Sequence, residues 1–257
     1  MASPRLGEMI DETMNEIVFE EFKSYGIFPH ITSGASIGMW PEEQQLLHDL
    51  VKDDQVKDLD WLEIGTWNGG SFVLLNEIKR TYGFKGKIIG VDPAPSPYLE
   101  LLFKRANVSE DNKFIKDYSD NIPNYAGAIF DTLGFVFIDG LHSFKQILVD
   151  FNAVRPYLAD GAIVAFHDCS PHIQRAEYRK ERLEWATGEG REYLEQTTHE
   201  DFFCDEAYCV IEEQFGLEHI DCQIECFHPN ETRLNSWVRG KTSPSSSLAA
   251  MRYNGEG

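Results

Sequence analysis

Basic residues are scarce in this chain. Its 257 residues carry 23 Lys and Arg against 43 Asp and Glu, a formal charge of −20. Nucleic acids and anionic membranes need a basic footprint, so this balance excludes both as main partners and favours solubility. Long hydrophobic runs are lacking too. No stretch approaches the ~20 apolar residues of a membrane-spanning helix, and the opening MASPRLGEMIDE has no apolar core of a signal peptide. A cytoplasmic location is the expectation. Cysteine is sparse: five residues, an odd count that points to free thiols rather than a disulfide framework. The spacings Cys204-x4-Cys209 and Cys222-x3-Cys226 are looser than a zinc ribbon and fall in strand-like text, which argues against zinc. The dinucleotide fingerprint G-x-G-x-x-G and the P-loop are both missing, so neither a pyrophosphate nor a triphosphate is well served.

What is present suffices for a sizeable core, with 42% hydrophobic residues. An irregular N-terminal region at 1–38 holds one expected helix at 7–24, with substrate or dimer contact as its expected role. Pro41 then opens a helix, with Glu42 and Glu43 suiting its first turn and Leu46, Leu47, Leu50 and Val51 on one face. Short apolar runs at 60–64, 87–91, 113–116, 134–138 and 162–166 read as strands. Amphipathic segments at 70–81, 97–106 and 143–156 alternate with them as helices, the last with Ser143 as its N-cap. That alternation predicts an α/β fold, a doubly wound and mostly parallel sheet covered on both faces. Two further strands are expected at 207–213 (AYCVIEE) and 219–227, forming an antiparallel C-terminal hairpin and completing a seven-stranded Rossmann-like sheet. The domain is expected to run over 39–235, with the charged stretch 171–206 as a lid insertion. Residues 236–257, rich in Ser and Gly, are expected to be a flexible tail.

Ligands of open α/β sheets bind beyond the carboxyl ends of the strands, where strand order reverses. The turn after the first strand, WLEIGTWNGGS at 61–71, is glycine-rich and follows an acid, Glu63. Taken alone, Gly65, Gly69 and Gly70 serve either close approach of a ligand or tight packing. Neighbouring strand ends favour a ligand. Asp92 closes the second strand, where a carboxylate can accept from two ribose hydroxyls, and Asp117 and Tyr118 close the third, able to flank an adenine.

Glu63, Gly65, Asp92 and Asp117 together resemble class I S-adenosylmethionine-dependent methyltransferases. The stretch 135–168, FVFIDGLHSFKQILVDFNAVRPYLADGAIVAFHD, is similar to the branch of macrolide-sugar and catechol-type, metal-dependent O-methyltransferases. The resemblance covers about 39–170. It implies that Glu63, Gly65, Thr66, Gly69, Gly70, Ser71, Asp92, Asp117, Tyr118 and Asp139 surround S-adenosylmethionine, Ser71 reaching its carboxylate. It further implies Asp139 and His142 as catalytic, His142 being the general base, and Asp139, His167 and Asp168 as ligands of Mg²⁺ or Mn²⁺. His167 departs from the branch, which more often has a carboxylate there. The implied reaction is O-methylation of a small-molecule or glycan acceptor, with a homo-oligomer as an expected assembly. Three alternatives stay open: a nucleoside-binding regulatory or scaffold protein of this fold, a relative bearing the name hydroxylase, and an NAD-dependent oxidoreductase.

Overall fold

The computed structural model describes residues 39, 41–169, 207–226 and 246–255. The expected helix at 7–24, the 171–206 lid and the loop before Met39 lie outside these residues. Among the described residues no helix is long and apolar enough to cross a membrane.

Helix α1 (Pro41–Leu50) precedes β1 (Asp60–Ile64), α2 (Gly70–Tyr82), β2 (Ile88–Val91), α3 (Leu99–Arg105) and β3 (Lys113–Ile115). A 3₁₀ turn at Ser119–Asn124 leads to β4 (Leu133–Ile138), α4 (Phe144–Val154) and β5 (Leu158–His167). Then come α5 (Ala207–Gln214), β6 (Ile220–Cys226) and β7 (Ser246–Arg252). The seven strands form one sheet in the order β3-β2-β1-β4-β5-β7-β6. The first five are parallel, and β7 runs antiparallel to both β5 and β6.

Side chains alternate strictly between two cores, as the two-residue period of a strand requires. Trp61, Phe135, Phe137, Ile163, Ala165, Leu248 and Ala250 pack on one face with Leu47, Phe72 and Leu75. Leu62, Ile64, Val136, Ile138, Val164, Phe166 and Ala249 pack on the other with Ile147, Phe151, Val210 and Ile211. Both faces being apolar, the strands read as near-continuous hydrophobic runs, which is why the parallel sheet was legible.

Two C-terminal expectations are corrected. AYCVIEE is helix α5, not a strand: Ala207, Val210 and Ile211 are buried at helical spacing, and Gly216 ends the segment with φ 90°. The amides of Phe215 and Gly216 both return to the Ile211 carbonyl, the backbone of a helix C-terminus rather than of a hairpin turn. The tail from 236 is not uniformly loose either. Residues 246–252 are β7, threaded between β5 and β6 with Leu248, Ala249 and Ala250 fully buried. Arg252 anchors its end, donating to Gln55 Oε1, the Gly161 carbonyl and Asp53.

Candidate active site

The crossovers reverse direction between β1 and β4, so the tips of these two strands open the crevice the topology requires. A cavity of about 580 Å³ lies there, lined from the Gly65 turn and Asp92 to His142, His167 and Asp168.

The floor of the crevice is backbone against backbone. The Asp139 amide donates to the Ile64 carbonyl, and the Gly65 amide to the Val91 carbonyl. Gly65 has φ +92°, and a Cβ placed on it would lie 2.1 Å from the Asp139 carbonyl oxygen. Only glycine fits where three strand tips close on one point. The turn continues through Trp67 at φ 39°, a left-handed conformation held because both Asp92 oxygens are engaged. Asp92 Oδ2 accepts from the Trp67 amide at 2.7 Å and Oδ1 from the Ala94 amide at 2.7 Å. A carboxylate has lone pairs beyond these two, so Asp92 can still receive ribose hydroxyls.

Glu63 and Ser71 behave differently from the expectation. The Ser71 hydroxyl donates to Glu63, and neither residue lines the cavity. Glu63 is fully buried behind the Gly65 turn. Burial pushes its carboxyl up to about 8, with the nearby Asp139 and Asp92 charges adding to the effect and the Ser71 hydroxyl opposing it. Thr66, Gly69 and Gly70 also stay behind the cavity wall: Thr66 is buried, Gly69 caps α2 at φ 80° against Leu99, and Gly70 begins that helix. At the third strand tip, Asp117 accepts from the Tyr118 amide, Asn121 and the Tyr125 hydroxyl. The Tyr125, Asn121 and Tyr118 bonds hold its carboxyl below the usual range. Tyr118 stands at the mouth, 67% exposed.

The cavity lining also includes hydrogen-bonding side chains that the sequence reading missed, among them Ser119, Gln146 and Asp150. Ser119 and Gln146 both donate to Asp150 Oδ1, and burial raises the Asp150 carboxyl to about 6 despite these bonds. One signal was available. Asp150 falls among Ile147, Phe151 and Val154 on the apolar stripe of α4, where a carboxylate is out of place.

The tips of β4 and β5 bring four of the named residues together. His142 Nδ1 lies 2.9 Å from Asp168 Oδ2, and its Nε2 lies 3.5 Å from Asp139 Oδ1. His167 Nδ1 lies 3.0 Å from Asp139 Oδ1 and 3.7 Å from Asp168 Oδ1. Burial alone would raise Asp139, but the His167 and His142 imidazoles outweigh it and hold the carboxyl well below the usual range. Asp168 follows the same pattern: burial opposes ionisation, and His167 and His142 overcome it. Burial would lower His167, but the Asp139 and Asp168 charges drive it well above the ordinary histidine value. Asp168 itself sits at φ 50°, so the strand ends in a strained residue that turns its side chain back to the crevice.

Among the described residues no three His, Cys, Asp or Glu side chains are placed to hold a metal ion. Asp139, His142, His167 and Asp168 together form an imidazole–carboxylate network at the tips of β4 and β5.

Because Glu63 is held protonated by burial, the fold contributes a pH dependence whose sign is fixed. A folded-state value above the unfolded one means that its contribution is complete below the ordinary carboxylate range. That contribution is lost as pH rises through about 8. Glu63→Gln is expected to flatten the fall in thermal midpoint between pH 5 and 8.5; an unchanged pH profile in that variant would show that Glu63 ionises freely.

Comparison with known proteins agrees with this geometry. Residues 62–169 match the family model described as a methyltransferase domain. A curated relative, the uncharacterized protein R132 of Acanthamoeba polyphaga mimivirus, is 32% identical over 135 residues, 48% of this chain. The match spans 57% of that relative's length. The O-methyltransferase of Bacillus cereus, solved with S-adenosylhomocysteine, superposes with a TM-score of 0.51 at 13% identity, over 95% of this chain and 97% of that one. TomG of Streptomyces achromogenes, an O-methyltransferase solved with S-adenosylmethionine, gives 0.52 at 12% identity over 95% and 96%. The calicheamicin methyltransferase CalS11 gives 0.50 at 14% identity over 100% and 95%. Residues 62–169 therefore match a methyltransferase domain, and the chain has the fold of these solved methyltransferases.

Proposed function

We propose that this protein transfers the methyl group of S-adenosylmethionine to a hydroxyl oxygen of a small-molecule or sugar acceptor. One observation carries the reading: a single cavity joins the Gly65–Asp92 cradle to the His142–Asp168 pair. The cradle offers close backbone approach and a carboxylate for a ribose. The other end offers a base backed by an acid.

In this reading Asp168 orients His142 through Nδ1, and Nε2, 3.5 Å from Asp139 Oδ1, exchanges that neighbour for the acceptor hydroxyl and takes its proton. The resulting oxyanion attacks the sulfonium methyl in line. An O–C bond forms, the C–S bond breaks, and S-adenosylhomocysteine leaves. Much of the acceleration would come from holding both reactants in one cavity at the correct angle. The acidic surroundings suit a cationic sulfonium better than a pyrophosphate. The Mg²⁺ or Mn²⁺ implied by the resemblance would be held by Asp139, His167 and Asp168, where it would lower the acceptor hydroxyl's pKa.

Calorimetric titration with S-adenosylmethionine, S-adenosylhomocysteine and NAD tests the cofactor. The expected result is saturable heat from the first two and none from NAD. Heat from NAD alone would overturn the reading in favour of an oxidoreductase.

A further inference from the structure

The matched methyltransferase domain starts at Leu62, yet one residue ahead of it reaches the catalytic network. Glu43 lies in the first turn of α1 and is fully buried, while its neighbour Glu42 is exposed. It stands one helical turn before Leu47 and two before Val51, both fully buried, on the stripe that anchors α1 to the sheet. A carboxylate there suffers desolvation that a solvated first-turn acid would avoid, so its retention calls for a charged or hydrogen-bonding partner. His167 supplies one: its Nε2 lies 3.5 Å from Glu43 Oε1. The opposite ring nitrogen, Nδ1, faces Asp139 and Asp168. Phe137 packs edge-on against the same imidazole, with centroids 6.0 Å apart.

Resting on the function proposed above, we infer that Glu43 is a positioning residue that fixes the His167 ring, so that Nδ1 faces Asp139 and Asp168. An imidazole can flip or exchange its tautomer, and a carboxylate behind one nitrogen removes that freedom. With Nδ1 fixed forward, His167 engages Asp139, and His142 is left to the Asp168 carboxylate. Helix α1 thereby adds to a site otherwise built from strand tips, the 3₁₀ turn at Ser119 and the buried side of α4. Turning Glu43 outward would cost the fold little and leave His167 unguided, which explains an acid on an otherwise apolar stripe.

The experiment uses the full chain labelled with ¹⁵N-histidine, His167 being assigned by His167→Gln. Long-range proton–nitrogen spectra report the state of each ring nitrogen. Glu43→Leu should remove the wild-type His167 pair of signals while His219, exposed at the end of the 3₁₀ turn before β6, keeps its own. Glu43→Gln retains an acceptor oxygen at the same reach and should keep His167 close to wild type. Glu43→Asp retains the charge but withdraws it by one methylene, so it should resemble Leu; it also decides the matter if Leu fails to fold. With a methyl acceptor in hand, Leu and Asp should lower kcat about 10- to 100-fold at unchanged KM for S-adenosylmethionine. Unmoved His167 signals in Leu or Asp, or Gln as disruptive as Leu, would overturn the inference. Loss of cofactor binding by the wild-type chain would instead sink the proposed function, while the ring signals would still decide the role of Glu43.

Discussion

Gly65→Ala is expected to weaken S-adenosylhomocysteine binding by about 10- to 100-fold or more, each factor of ten corresponding to about 1.4 kcal/mol. Two independent costs fall on this substitution. At φ +92° any Cβ meets its own backbone, a penalty of about 1–2 kcal/mol. The new methyl would also stand 2.1 Å from the Asp139 carbonyl oxygen, 2.5 Å from its carbon and 2.7 Å from the Gly140 nitrogen. All three are backbone atoms of the β4 tip and cannot rotate aside. Relief comes only by parting β1 from β4, at about 1–3 kcal/mol, and that parting is the deformation of the cradle. The control is Gly127→Ala. It has a similar φ of +77° but nothing within 4 Å, so it carries the conformational cost without the collision. Calorimetry and thermal unfolding on both variants separate the effects. If Gly65→Ala bound the product as tightly as wild type, the Gly65 turn would not be the cradle.

The parallel half of the fold was legible because both faces of the sheet are covered. Burial on both sides makes β1, β4 and β5 continuous apolar runs, and the amphipathic helices between them show a different period. The C-terminal strands gave no such contrast. β7 is SSLAAMR, small residues with weak strand preference, and it is a strand because β5 and β6 pair with it on either side. α5 was misread for the opposite reason: Tyr208, Val210 and Ile211 favour strands individually. Only the spacing of Ala207, Val210 and Ile211, which the packing on Phe151 makes decisive, marks them as helical. Context overrode propensity in both.

The site shows the same division. Gly65, Asp92, Asp139, His142 and Asp168 sit at strand ends, where topology alone puts a ligand, and a sequence shows strand ends well. Glu43, Ser119, Gln146 and Asp150 come from a helix start, a 3₁₀ turn and the buried side of α4. Nothing local distinguishes Glu43 from an ordinary first-turn acid until Leu47 and Val51 are known to face inward. Ser71 illustrates the reverse error. Its place in the glycine turn suggested a ligand contact, but the helix phase set by Gly69 and Gly70 directs it to Glu63 instead. The acids and imidazole of the expected metal set do come together, Asp139, His167 and Asp168 meeting at the tips of β4 and β5.

His142→Ala is expected to lower turnover by about 10²–10⁴-fold, the usual contribution of a positioned general base, with S-adenosylhomocysteine affinity unchanged. The two halves of that expectation come from different parts of the cavity. The cofactor cradle centres on Gly65, Asp92 and Asp117 at the tips of β1, β2 and β3, whereas His142 follows β4, so binding should survive. Among the described residues His142 combines support with access: Nδ1 is 2.9 Å from Asp168, and the ring faces the shared cavity. The imidazoles beside Asp139 and Asp168 hold both carboxyls below the usual range, which weakens them as bases, and the two acids shift His167 above the ordinary histidine value. His142→Gln preserves polarity and approximate volume without a base, and should be as impaired as Ala. Asp168→Asn should also lower turnover, since an amide can no longer fix the Nδ1–H tautomer. Single-turnover methyl transfer, measured once an acceptor is identified, separates the chemical step from product release. Full turnover in His142→Ala would return His142 to a structural role at the start of α4, where Ser143 already supplies the cap by accepting from the Gln146 amide.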